Sequence, residues 1–142
     1  MQKFSPDILE YIPQRPPMVM IDRIVDINES KVECQFKVIN DNLFVVDGKL
    51  IESGIIENIA QTVASVAGYW AKEKNEKVNL GYIAAIKNLN IHALPSVGDV
   101  LCTFVEIVNE VFNVTIVHGK VICGNTKIAD CEMRIYIADN RK

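Results

Sequence analysis

The chain has 142 residues, 49% of them hydrophobic, which is enough for one substantial core and too few residues for two. Fifteen Lys plus Arg against eighteen Asp plus Glu leave a net charge of −3 with no basic block, which argues against nucleic acid as a partner. The N-terminal segment has no apolar signal-like run and no later stretch is apolar enough to span a bilayer, so the expectation is one cytoplasmic domain over 1–142 without membrane contact.

In chain order, Ser5, Pro6 and Asp7 offer a cap, a first-turn proline and an acidic first turn for a short helix over Phe4 to Tyr11. Pro13-Gln14-Arg15-Pro16-Pro17 ends it, and three prolines in five residues stiffen a loop that can hold a side chain in place. Met18 to Ile27 reads as a strand, Asn28-Glu29-Ser30 as a turn, and Lys31 to Ile39 as a second strand in which Val32, Cys34, Phe36 and Val38 alternate with Lys31, Glu33, Gln35 and Lys37. Asn40-Asp41-Asn42 closes this hairpin, and Phe44 to Lys49 leads through Asp47-Gly48 into the stretch on which the rest depends.

That stretch is Leu50 to Lys74. Ile55, Ile56, Ile59, Ala60, Val63, Ala64, Ala67, Trp70 and Ala71 recur at three- and four-residue steps, the period of a helix with one broad apolar face. Ser53 or Gly54 serves as its N-cap, and the Lys-rich end suits the negative pole of the macrodipole. Ala60, Ala64, Ala67 and Gly68 let other backbone come close. Against this small apolar surface stand polar residues in the N-terminal half, with Glu57 and Gln61 one turn apart on the same side.

Beyond Lys77 the chain is β-rich. Val78 to Ala93, Leu101 to Ile107, Phe112 to Ile122 and a last strand after Gly124-Asn125 are expected, with a turn at Leu94 to Asp99 and a hairpin loop at Asn109-Glu110. A two-residue loop at Gly124-Asn125 sets Lys120 opposite Ala129, His118 opposite Cys131 and Ile116 opposite Met133 on one largely apolar face. One long apolar helix and a one-sided antiparallel sheet combine most simply as an α+β fold, with the sheet wrapped around the helix.

Cys34, Cys102, Cys123 and Cys131 fall on strand-like segments without C-x-x-C spacing, so they read as small apolar residues rather than disulfides, catalytic thiols or zinc ligands; no metal is expected. His92, near Pro95, reads as a surface residue. His118, on the expected apolar face, reads as a core histidine or as a group facing bound substrate.

Three stretches then resemble a family. Tyr11-Ile12-Pro13-Gln14-Arg15-Pro16-Pro17 with Met18 to Arg23 is similar to the signature L-P-H-R-x-P-x-L-L-x-D-R of the β-hydroxyacyl-acyl-carrier-protein dehydratases, members of the hot-dog fold. Glu57-Asn58-Ile59-Ala60-Gln61 resembles their central-helix E-x-x-A-Q, and Tyr82 to Asn88 followed by Gly98-Asp99 resembles their next strand and P-G-D turn. The resemblance implies a hot-dog homodimer, or a hetero-oligomer with a related hot-dog subunit, joined edge to edge, that binds acyl-ACP or acyl-CoA and needs no cofactor. In it Glu57 matches the catalytic acid, Gly54 and neighbouring amides match the donors that hold the thioester carbonyl, and Asn58, Gln61 and His118 stand as further substrate-binding candidates. The departure is at Gln14, where the motif has its histidine. A glutamine amide accepts hydrogen bonds but takes no proton at neutral pH.

Three functions follow from these residues. One is a dehydratase-like lyase of fatty-acid or polyketide synthesis in which Glu57 works and Gln14 positions substrate. Another is a non-catalytic partner subunit of a dehydratase. The third is an acyl-CoA or acyl-ACP thioesterase, with Glu57 activating water.

Overall fold

A computed structural model describes residues 4–78 and 80–138. Its centre is α1 (Glu52–Glu73), and its sheet contains β1 (Arg23–Ile27), β2 (Lys31–Lys37), β5 (Gly81–Ile91), β6 (Val100–Val111), β7 (Val114–Cys123) and β8 (Thr126–Ile137). The order is β1-β2-β6-β7-β8-β5, antiparallel throughout. A small hairpin of β3 (Val45–Val46) and β4 (Lys49–Leu50) precedes the helix, turning on Asp47 and Gly48 at positive φ. No described helix is long and apolar enough to cross a membrane.

The expected α+β arrangement is present. Inward residues alternate along each strand: Val32, Cys34 and Phe36 on β2, Leu101, Thr103 and Val105 on β6, and Ala129, Cys131, Met133 and Ile135 on β8. They meet Ile55, Ile59, Val66 and Tyr69 of α1 in one core. Gly119 of β7 marks the closest approach of helix to sheet, since a Cβ there would lie 2.7 Å from Ile59 Cγ2.

The helix begins differently from expectation. Ile51 is the N-cap without a side-chain bond, and its carbonyl accepts the amides of both Gly54 and Ile55. At the other end Lys74 caps and Asn75 adopts φ 54, with Glu76 N–H reaching Ala71 C=O and Asn75 N–H reaching Lys72 C=O, a Schellman closure.

Four other boundaries are corrected. The N-terminal helix shrinks to one 3-10 turn, Ile8–Glu10, capped by the Asp7 carboxylate on Leu9 N–H. The first strand begins at Arg23 because helix side chains take the backbone groups of Met18 and Met20. The β6–β7 loop is Phe112-Asn113, as Val111 pairs with Val114. Cys123 pairs with Thr126 across Gly124-Asn125 as expected, but a bulge then sets Val121 opposite Ala129. That one-residue slip turns the whole of β7 over. Val117, Gly119 and Val121 face the helix, and His118, paired with Glu132, lies exposed on the outer face rather than opposite Cys131.

Candidate active site

Two stripes run along α1. One, through Ile55, Asn58, Ile59, Thr62 and Ser65, is buried and bonds the sheet: Asn58 Oδ1 accepts from Thr103 on β6, and Ser65 Oγ lies 3.6 Å from Cys34 Sγ on β2. The other, through Glu57, Ala60, Val63, Ala64 and Ala67, faces β5. Its residues are mostly small, so they leave room. The result is a cavity of about 280 Å³ between this stripe, Leu80 to Ile83, and Ile135 and Ile137 of β8, with Pro13 and Gln14 completing the wall.

Glu57 is the one carboxylate among the described lining residues. Its Oε2 accepts from Gln61 Nε2 at 2.8 Å, and the described residues place no cation in ion-pair range of it. Gln61 is fully buried and fully used. Its Nε2 also donates to Met18 C=O at 2.8 Å, and its Oε1 accepts from Met20 N–H at 2.7 Å. Asn58 Nδ2 donates to Met20 C=O at 2.7 Å. Two helix amides therefore clamp the segment that follows the prolines. The Arg15 guanidinium tightens the loop from its other side by donating to Ile12 C=O and Gln14 C=O, both at 2.8 Å. These bonds hold Gln14 against the cavity, and its Oε1 is buried with no hydrogen-bond partner among the described residues.

The sequence-predicted residues thus separate. Glu57 and Gln14 line one cavity, and Gln61, a substrate-binding candidate by sequence, spends its amide on Glu57 and on the Met18 and Met20 backbone. Asn58 has both amide atoms engaged inside the fold. Gly54 is packed beneath Phe44 and Leu50, where a Cβ would approach within 2.9 Å of three atoms, and its N–H is taken by Ile51 C=O; it does not line the cavity. His118 stands on the opposite face of the sheet. Sequence reasoning missed Tyr82 as a wall residue. Its signal was available in the apolar run of Tyr82 and Ile83 directly after Leu80, which remains exposed at the start of an edge strand. Among the described residues no group of three or more His, Cys, Asp or Glu converges as a metal site.

Chemically, the arrangement sets a proton-exchanging carboxylate and a hydrogen-bonding carboxamide over an apolar floor. A family model described as ApeP-like dehydratase matches residues 6–142. The 3-hydroxyacyl-[acyl-carrier-protein] dehydratase FabZ of Clostridium acetobutylicum is 31% identical over 136 residues, covering 92% of this chain and 94% of that protein. Among solved structures, one from the dehydratase heterocomplex ApeI:P of Xenorhabdus doucetiae shares the fold with a TM-score of 0.89 at 22% identity, covering 97% of this chain and 94% of its own. A hypothetical thioesterase of Streptococcus pneumoniae TIGR4, solved with coenzyme A, has a TM-score of 0.67 at 13% identity, covering 84% of this chain and 88% of its own. The fold is the hot-dog fold.

Proposed function

The chain belongs to the ApeP-like dehydratase family, and on that premise we propose that it admits 3-hydroxyacyl thioesters, carried on acyl carrier protein or coenzyme A, to the cavity between α1 and β5 and contributes Glu57 to their dehydration. The observation that carries this proposal is the Glu57 carboxylate, fixed by Gln61 in a largely apolar cavity that Gln14 also lines.

Dehydration removes a proton from C2 and delivers one to the hydroxyl leaving C3, so that the C2–C3 double bond and water form together. A carboxyl group can serve at either position. Glu57 is assigned to the leaving hydroxyl. Gln14 is read as standing where the dehydratase motif has a histidine, and as a residue lining the same cavity it orients the C3 hydroxyl through its carboxamide. It cannot take the C2 proton. Absence of one general base typically lowers the rate by about a hundred- to ten-thousand-fold, so the chain by itself is a slow dehydratase, and full activity requires a base from a related hot-dog subunit. The β5 edge supplies the place for that subunit, since it is unpaired and displays Tyr82, Ile83 and Leu89.

Mass spectrometry of 3-hydroxyacyl and saturated acyl thioesters incubated with the purified chain tests this. Slow or undetectable dehydration is expected, with a gain of about tenfold or more in Gln14→His and loss of that gain when Glu57→Gln is added. Free acid released by the wild type and abolished by Glu57→Gln would overturn the proposal in favour of a thioesterase.

A further inference from the structure

Five polar residues are buried among the described ones: Asn58, Gln61, Thr62, Ser65 and Thr103. Four belong to α1. Thr103 alone lies on the sheet, at an inward position of β6 whose inward neighbours Leu101 and Val105 are apolar. A buried hydroxyl among aliphatic side chains is costly unless it is bonded, so the place of Thr103 is explained by what it bonds.

The Thr103 hydroxyl donates to Asn58 Oδ1. That direction is forced. Asn58 Nδ2 donates to Met20 C=O at 2.7 Å, and a carbonyl can only accept, so the amide oxygen faces β6 and needs a donor there. Met20 in turn gives its N–H to Gln61 Oε1 at 2.7 Å, which commits Gln61 Nε2 to Met18 C=O and to Glu57 Oε2, both at 2.8 Å. Thr103, Asn58, Met20, Gln61 and Glu57 are therefore linked without a gap from the sheet to the carboxylate. The terminal torsion of an amide side chain is intrinsically soft, and a partner on each side is what stiffens Asn58. On the sheet side that partner is Thr103.

We infer that Thr103 is a positioning residue: its hydroxyl fixes the Asn58 amide, and through Met20 and Gln61 it fixes the direction of the Glu57 carboxylate in the cavity. The chemistry assigned to Glu57 rests on the thioester proposal above; the positioning does not. Thr103 does not line the cavity, so a change there reaches substrate through these bonds. Without the hydroxyl, Asn58 Oδ1 is buried and unpaired and the amide is free to turn, which loosens Met20 and with it the hold of Gln61 on Glu57.

NMR of side-chain protons in the full chain tests this first. In the wild type the Thr103 hydroxyl proton, buried and bonded, should be visible and slow to exchange with solvent. A freely exchanging proton there overturns the inference without any variant. In Thr103→Val, which keeps the shape and loses the hydroxyl, the Gln61 Nε2 protons, assigned by their absence in Gln61→Met, should shift and exchange about tenfold faster. Thr103→Ser should restore them. The Asn90 amide, bonded to Asp130, should not move in either variant, which separates a local release from general loosening. Kinetics then connect these amides to the reaction. In the Gln14→His background, Thr103→Val should lower kcat for 3-hydroxyacyl thioesters about tenfold at unchanged KM, and Thr103→Ser in its place should recover it. Unmoved Gln61 signals in Thr103→Val, or moved signals with kcat unchanged, overturn the inference and leave the thioester proposal standing. If Gln14→His turns over no thioester, that proposal falls, and the Gln61 signals alone decide the positioning.

Discussion

Gln61 has three hydrogen bonds and no exposed surface, and each bond does something different for the site. Two fix the Met18–Met20 backbone, and the third fixes Glu57. Gln61→Met keeps the volume but leaves the Met20 N–H buried and unpaired, which should cost about 2–4 kcal/mol in urea denaturation, with activity of the assembled enzyme falling as Glu57 loses its brace. A loss below about 0.5 kcal/mol would show that the clamp is dispensable. The buried thiols make a second prediction. Burial pushes Cys34 and Cys131 up to about 11, Cys34 against a partly offsetting hydrogen bond with Ser65. In the unfolded chain these thiols ionise near their ordinary value, so above about pH 8.5 the unfolded state binds fewer protons than the native one. Stability is therefore full below that pH and falls as pH rises toward 11. The urea midpoint should drop between pH 8 and 10.5, and the drop should shrink in the Cys34→Ala, Cys131→Ala double variant; an unchanged slope would exclude the thiols as its cause.

At the scale of elements, α1 was legible because its period is strong and its length unusual, but Ala60, Ala64 and Ala67, expected to let other backbone come close, line the cavity instead, and only Gly68 meets backbone, at Tyr11. The hairpins were less so. Ile128 adds one residue to β8 in a bulge, and neither Ile122 nor Ile128 is a glycine or proline that would announce it. One unmarked residue was enough to bring His118 inward on paper. The β6–β7 loop hid for a related reason: Phe112 occupies, at φ 55, the first position of a two-residue hairpin loop, where a type II′ turn calls for glycine. Phe112 is fully exposed, so Phe112→Gly should relieve backbone strain and raise stability by about 1 kcal/mol, measured as a higher urea midpoint. Gly68 makes the opposite case. A Cβ there would lie 1.8 Å from the Tyr11 carbonyl oxygen, which is backbone and cannot rotate away, whereas the Cβ clash at Gly119 is the milder one, 2.7 Å from the Cγ2 methyl of Ile59. Gly68→Ala should therefore destabilise by about 3 kcal/mol or more and Gly119→Ala by less. Because Tyr11 leads directly into Pro13 and Gln14, Gly68→Ala should also impair the site.

For the whole molecule the sheet ends asymmetrically. The outer face of β7 and β8 carries charge, with His118 between Glu106 and Glu132, while β5 presents an unpaired backbone edge and exposed Tyr82, Ile83 and Leu89. An edge strand of that length and composition pairs with something or aggregates, since it bears only Lys87 as a charge against pairing. The same strand walls the cavity through Gly81, Tyr82 and Ile83, so whatever pairs with it stands beside Glu57 and Gln14. Assembly and chemistry are then one problem: the proposed second base must arrive with the second subunit. Leu89 lies on β5 outside the cavity lining, and Leu89→Lys adds a charge to the edge without touching Glu57 or Gln14. Sedimentation velocity of the wild type at micromolar concentration should show a dimer or larger species, and Leu89→Lys should shift it toward monomer. Thioester turnover should fall in proportion to the assembly lost. A wild type that sediments as a monomer with full dehydratase activity would mean that the base lies within this chain, and the β5 edge would have to be explained by something other than catalysis.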